Sequence, residues 1–168
     1  IAVEDGKTFM WDWTSGKCYP YSEPVVGTDG NGANILTDTI LQLRTKYSGN
    51  LLMVAFAKGG SSVFDWSHGR LSIRLDNVLQ KLKEHAIEPK IFFWHQGESD
   101  GIPEIYLPWK VNAYGQTKGS VSHYYERALS LIVQKIHGYF SNSTIGVALV
   151  SICGNDGSPV ASQLPCVA

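Results

Sequence analysis

Ile91-Phe92-Phe93-Trp94-His95-Gln96-Gly97-Glu98-Ser99-Asp100 decides the reading of this chain, because an apolar run breaks off abruptly into hydrogen-bonding groups. A buried strand that ends this way is how an α/β protein presents chemistry at the carboxyl edge of its sheet. Working upstream, Leu71, Leu75, Val78, Leu79 and Leu82 recur at helical spacing and stop near Ala86, ahead of Pro89. Before them Leu51-Leu52-Met53-Val54-Ala55-Phe56-Ala57 is a continuous apolar run closed by Gly59-Gly60, as expected of a strand covered on both faces. Strand, helix and strand make a βαβ unit.

The same alternation extends outward. Leu36, Ile40, Leu43 and Tyr47 predict a helix over 33–47, ended by Ser48-Gly49-Asn50. Tyr125, Ala128, Leu129, Ile132, Ile136 and Tyr139 predict another, with Ser120 or Ser122 as its cap, and Ile145 to Ile152 reads as a further strand. Residues 1–32, dense in Gly, Pro, Tyr and Trp, read as an ordered loop region, and 101–119 as a long excursion at the sheet edge. The fold class that follows is α/β: a three-layer α/β/α, flavodoxin-like, mostly parallel sheet with helices on both faces.

At 168 residues the chain fits one domain, 1–168, and 14 Lys+Arg against 15 Asp+Glu leave a formal charge of −1. That balance provides no field to gather nucleic acid or an anionic membrane. No run approaches the roughly 20 apolar residues of a membrane helix. Cys18, Cys153 and Cys166 lack CxxC spacing, so neither a zinc site nor a closed disulfide framework is implied. Asn142-Ser143-Thr144 fits a glycosylation acceptor.

Two strand ends carry the candidate chemistry. At Gly59-Gly60 the missing Cβ lets backbone N–H groups approach a ligand, and Gly60 is the preferred donor; a plain strand-to-helix turn explains the same glycines. Gln96 offers a neutral carboxamide with two hydrogens, suited to an oxyanion, with Gly97 keeping the adjoining space clear. Glu98 suits orienting a histidine, holding the Gln96 amide or bonding its own turn. His95 reads as a base or as a packed, hydrogen-bonded residue pointing away from Gln96, and Asp100 as a turn or helix-capping carboxylate. Ser61 and Ser62 read as caps, and no Gly-x-Ser-x-Gly elbow is present. The loop aromatics Trp11, Trp13, Tyr19, Tyr21, Trp66, Tyr106 and Trp109 suit sugar faces or the pinning of loops, with Trp66 the best candidate for a site wall.

On these residues the chain resembles the SGNH (GDSL-like) hydrolases, in particular their carbohydrate acetylesterase branch, which includes the sialate O-acetylesterase-like proteins. Val54 to Ser62 with Trp66 looks like that branch's second block, and Trp94-His95-Gln96-Gly97-Glu98-Ser99-Asp100 like its third. The resemblance implies a serine esterase removing O-acetyl groups from carbohydrate, outside the cell or at its surface, with no metal or organic cofactor. It implies Gly60, Gln96 and Glu98 as catalytic residues and Gly59, Ser61, Trp66 and His95 as substrate contacts. The family's first block, a nucleophilic serine in a Gly-Gln-Ser-Asn-like turn, and its last, an Asp-x-x-His-like pair, are not among these residues. The serine and histidine are therefore expected from other segments of a longer parent chain.

Two other readings compete. A catalytically inactive carbohydrate-binding or structural module of the same fold draws on the missing blocks and the aromatic loops. A nucleotide binder with Gly59-Gly60-Ser61-Ser62 around phosphate shares the fold logic, lacks a GxGxxG or GKS/T pattern, and leaves Gln96-Gly97-Glu98 without a task.

Overall fold

The computed structural model describes residues 2–31, 35–101 and 121–148. The chain falls into two compact units, Ile1–Gly59 and Gly60–Ala168. Its described elements are mixed α and β, so the coarse α/β class stands.

In the first unit, β1 (Thr8–Asp12) pairs antiparallel with β2 (Lys17–Pro20) and parallel with β3 (Leu51–Met53), giving the order β2-β1-β3. Residues 1–32 are thus not a loop region: they contain a hairpin. The apolar alternation of Thr8-Phe9-Met10-Trp11, buried at Thr8, Met10 and Trp11, outweighs the surrounding glycines. α1 (Ile35–Arg44) packs Ile40 against Met10, Tyr21, Val25 and Ala55. The apolar run expected as a strand over 51–57 pairs only through Met53; beyond it the Ala57 N–H donates to Gly27 O (3.1 Å), a loop rather than a ladder.

The unit closes at a pinned turn. Asp29 accepts from Lys58 Nζ (2.8 Å) and from the Gly59 N–H at both carboxylate oxygens (3.0 and 3.1 Å). The Lys58 hydrogen bond, then that of Gly59, holds the Asp29 carboxyl below its usual value.

The second unit carries α2 (Val63–Ser67), α3 (Arg70–Glu84), β4 (Ile91–Trp94), a 3₁₀ turn (Glu98–Gly101), α4 (Val121–Tyr139) and β5 (Thr144–Val147). α3, β4 and α4 lie where periodicity predicts them. β4 and β5 pair in parallel with Phe92 opposite Ile145 and Trp94 opposite Val147. Among the described residues the strands pair as β2-β1-β3 in the first unit and β4-β5 in the second. The last four residues of the strand predicted over Ile145 to Ile152, and all but the first residue of the excursion at 101–119, lie outside the described residues.

Strand alternation sorts β4 cleanly. Phe92 and Trp94 are buried, Phe92 against Phe140 and Trp94 edge-on to Trp66 at 6.2 Å, while Ile91 and Phe93 are exposed on the opposite face. α3 contributes Leu75, Val78, Leu79 and Leu82 to the core, and α4 adds Tyr125, Ala128, Leu129, Ile132 and Ile136. Their spacing of three and four residues is the stripe read from the sequence. α2 packs against both helices. Asn142 is exposed in the turn between α4 and β5. Among the described residues no helix is long and apolar enough to cross a membrane.

Candidate functional site

The second unit begins at Gly60, whose φ of +68° is a left-handed conformation that glycine adopts without steric cost. Among the described residues a Cβ built there meets nothing within 4 Å. The next residues fold inward. Ser62 caps α2: its hydroxyl accepts from the Asp65 N–H (3.3 Å), while Asp65 Oδ2 accepts from the Ser62 N–H (2.9 Å) and hydroxyl (2.7 Å). This is a capping box with aspartate in the place more often held by glutamate. Ser61, also buried, accepts the Trp66 indole N–H at its Oγ (2.8 Å).

The second turn folds against the first. Beyond Trp94, Gln96 points to the buried side, and its Nε2 donates to Ser61 O (2.9 Å) and to Asp100 Oδ2 (2.5 Å). Asp100 is fully buried, and the same Oδ2 accepts the Val63 N–H (2.9 Å), one of the amides that a helix start leaves without an internal partner. Asp100 is therefore a helix-capping carboxylate, as its type suggested, but it caps a helix 37 positions upstream. The Asp100 N–H closes its own turn on Gly97 O (3.0 Å).

The backbone of Gln96 is held from a third direction. Tyr125 on α4, buried at 5 % exposure, donates its hydroxyl to Gln96 O (2.6 Å) and accepts from Trp94 Nε1 (3.0 Å). Gly97 follows with φ of +150°, a conformation that a side chain strains, and this lets the chain turn sharply from the strand into the 3₁₀ segment.

The candidate residues thus divide. Gly60, Ser61 and Gln96 belong to one hydrogen-bonded pair of turns. Trp66 belongs to the layer beneath it: at 3 % exposure its ring presents no face to a sugar. His95 is exposed and alternates to the face opposite Gln96, the orientation that the pleat dictates. Gly59 ends the first unit with its N–H on Asp29. Glu98 opens the 3₁₀ turn, and its side chain lies outside the described residues. Of the loop aromatics, Trp11 and Tyr21 are buried, and Tyr106 and Trp109 lie outside the described residues.

Two participants were hidden in the sequence. Tyr125 reads there only as one apolar position of a helical stripe, and nothing local marks its hydroxyl. The short α2 is too brief to leave a period, and its signal is Ser62-Val63-Phe64-Asp65, which has the spacing of a capping box. No protein-family model matches the chain, and no curated protein matches it.

Proposed function

We propose that the paired turns Gly60–Ser61 and Gln96–Gly97 form the oxyanion side of an SGNH-type serine esterase acting on O-acetylated carbohydrate. The observation that carries this reading is the Gln96 Nε2 to Ser61 O hydrogen bond of 2.9 Å, which brings together the two turns that match the family's second and third blocks. The left-handed glycine at Gly60 also favours it, since the reaction needs backbone donors that no side chain covers.

In this reading a serine Oγ from another segment attacks the acetyl carbonyl carbon while a histidine takes its proton. The carbonyl π-bond opens to an alkoxide, and the Gly60 turn stabilises the negative oxygen. Collapse expels the sugar alkoxide, which regains the proton from histidine. Water then repeats the sequence on the acetyl-serine, releasing acetate. Glu98 is assigned to orienting that histidine. The parallel β4–β5 pair is read as part of a three-layer flavodoxin-like sheet. Exposed Ile91 and Phe93 support this, because a parallel sheet needs both faces covered.

Fluorophosphonate labelling of the full-length protein tests the reading. Covalent capture of one serine, with aryl acetate turnover lost in parallel, is the expected result. A folded full-length protein that neither labels nor turns over aryl acetate would leave the inactive carbohydrate-binding module as the better description.

A further inference from the structure

Asn142-Ser143-Thr144, the one Asn-x-Ser/Thr triplet in the 168 residues, runs from the turn after α4 into β5, with no proline at its middle position or directly after it. The fold divides the three side chains by task. The Phe140 carbonyl accepts the Ser143 N–H (3.2 Å), which closes a tight turn with Ser141 and Asn142 at its tip. Ser143 anchors that turn: it is buried, its hydroxyl donates to Pro89 O (2.5 Å), and its carbonyl accepts from His137 Nε2 (3.2 Å). Asn142 and Thr144 are exposed, and neither side chain has a hydrogen-bond partner among the described residues. The acceptor amide and the hydroxyl two positions on are thus both held at the surface by the buried residue between them.

We propose that Asn142 is a site of N-linked glycosylation. The co-reactant is an oligosaccharide carried on a lipid diphosphate. The Asn142 amide nitrogen bonds to the anomeric carbon, the bond from that carbon to the diphosphate oxygen breaks, the diphosphate leaves with the electron pair, and the nitrogen gives up one proton. The Thr144 hydroxyl is the group by which the transferring enzyme distinguishes this asparagine from others. A bulky, hydrated product also needs room once the chain has folded, and the tip of an exposed turn provides it. The glycan lies clear of the paired turns. β4 and β5 run in parallel with Thr144 beside Ile91, so Asn142 sits at the amino edge of that pair and Gln96 beyond its carboxyl edge, with three steps of roughly 3.3 Å along β4 between the edges. The modification places the parent chain in a compartment where such transfer occurs. It does not rest on the esterase reading.

Peptide mapping by mass spectrometry, on the full-length protein purified from the cells that make it, tests this. The peptide containing 141–144 is expected to carry a glycan at Asn142 and, after treatment with a peptide N-glycosidase, to hold aspartate at that position. Thr144→Ala, made in the same cells, should lose the glycan, and Thr144→Ser should keep it. Asn142 recovered only as unmodified asparagine overturns the proposal, and so does a glycan retained in Thr144→Ala. If Thr144→Ala does not accumulate, Asn142→Gln takes its place, and a glycan still found on this peptide overturns the assignment. Fluorophosphonate labelling reports on the esterase reading separately, so the two can fail independently.

Discussion

Replacing Tyr125 with phenylalanine removes one oxygen and almost no volume, which isolates the hydroxyl that ties α4 to the Gln96 turn. Two hydrogen bonds disappear, 2.6 Å to Gln96 O and 3.0 Å from Trp94 Nε1, and the side chain that made them is 5 % exposed. Both orphaned groups remain buried in the second unit. An unsatisfied buried donor or acceptor costs roughly 1–3 kcal/mol, so for two of them a loss of about 2–6 kcal/mol follows. With a urea dependence of roughly 1–3 kcal/mol per molar, the midpoint should fall by at least about 0.7 M. Amide resonances of α3 and α4 followed through a urea titration report this unit by itself. A shift equivalent to less than about 0.5 kcal/mol would mean that the hydroxyl is not the tie described, since surface changes alone reach that size.

Ser62→Ala should cost about 1 kcal/mol by opening the capping box, read from the same resonances. Gly97→Ala, at φ of +150°, should cost roughly 1–3 kcal/mol in unfolding free energy, whereas Gly60→Asn, at +68° where a Cβ meets nothing within 4 Å among the described residues, should leave stability within about 1 kcal/mol while placing a side chain where the acyl group would enter. In the first unit, the Asp29 carboxyl should titrate below its ordinary 3.8 in an NMR pH series, because Lys58 and then Gly59 hold its charged form. A depressed carboxyl contributes stability above its unfolded-state value and loses it as pH falls through the folded one, so the Asp29 contribution disappears below the ordinary carboxylate range, and Lys58→Met should move the midpoint upward.

Helices α3 and α4 and strand β4 could be read from sequence because each buries one face or alternate positions, and burial leaves a period. Short-range order that depends on partners far along the chain leaves none. The hairpin β1–β2 is masked by Gly6 and Gly16, which lie in the turns that precede its strands, and β3 shortens at Met53 because Ala57 bonds a loop instead of a neighbouring strand. The same contrast runs through the site. Gln96 and Asp100 stand out by residue type at a strand end, yet the role of each is set by Ser61 O, Val63 N and Tyr125 Oη, groups that lie 29 to 37 positions away. By residue type Trp66 suits both a site wall and loop packing, and its indole N–H on Ser61 Oγ decides for packing.

A structure of the full-length protein after phosphonylation tests the central claim most directly, because the phosphoryl oxygen occupies the place of the developing alkoxide. That oxygen is expected within about 2.7–3.1 Å of hydrogen-bond donors of the Gly60 and Gln96 turns. An adduct whose oxygen points away from both turns would contradict the assignment of this site to ester hydrolysis.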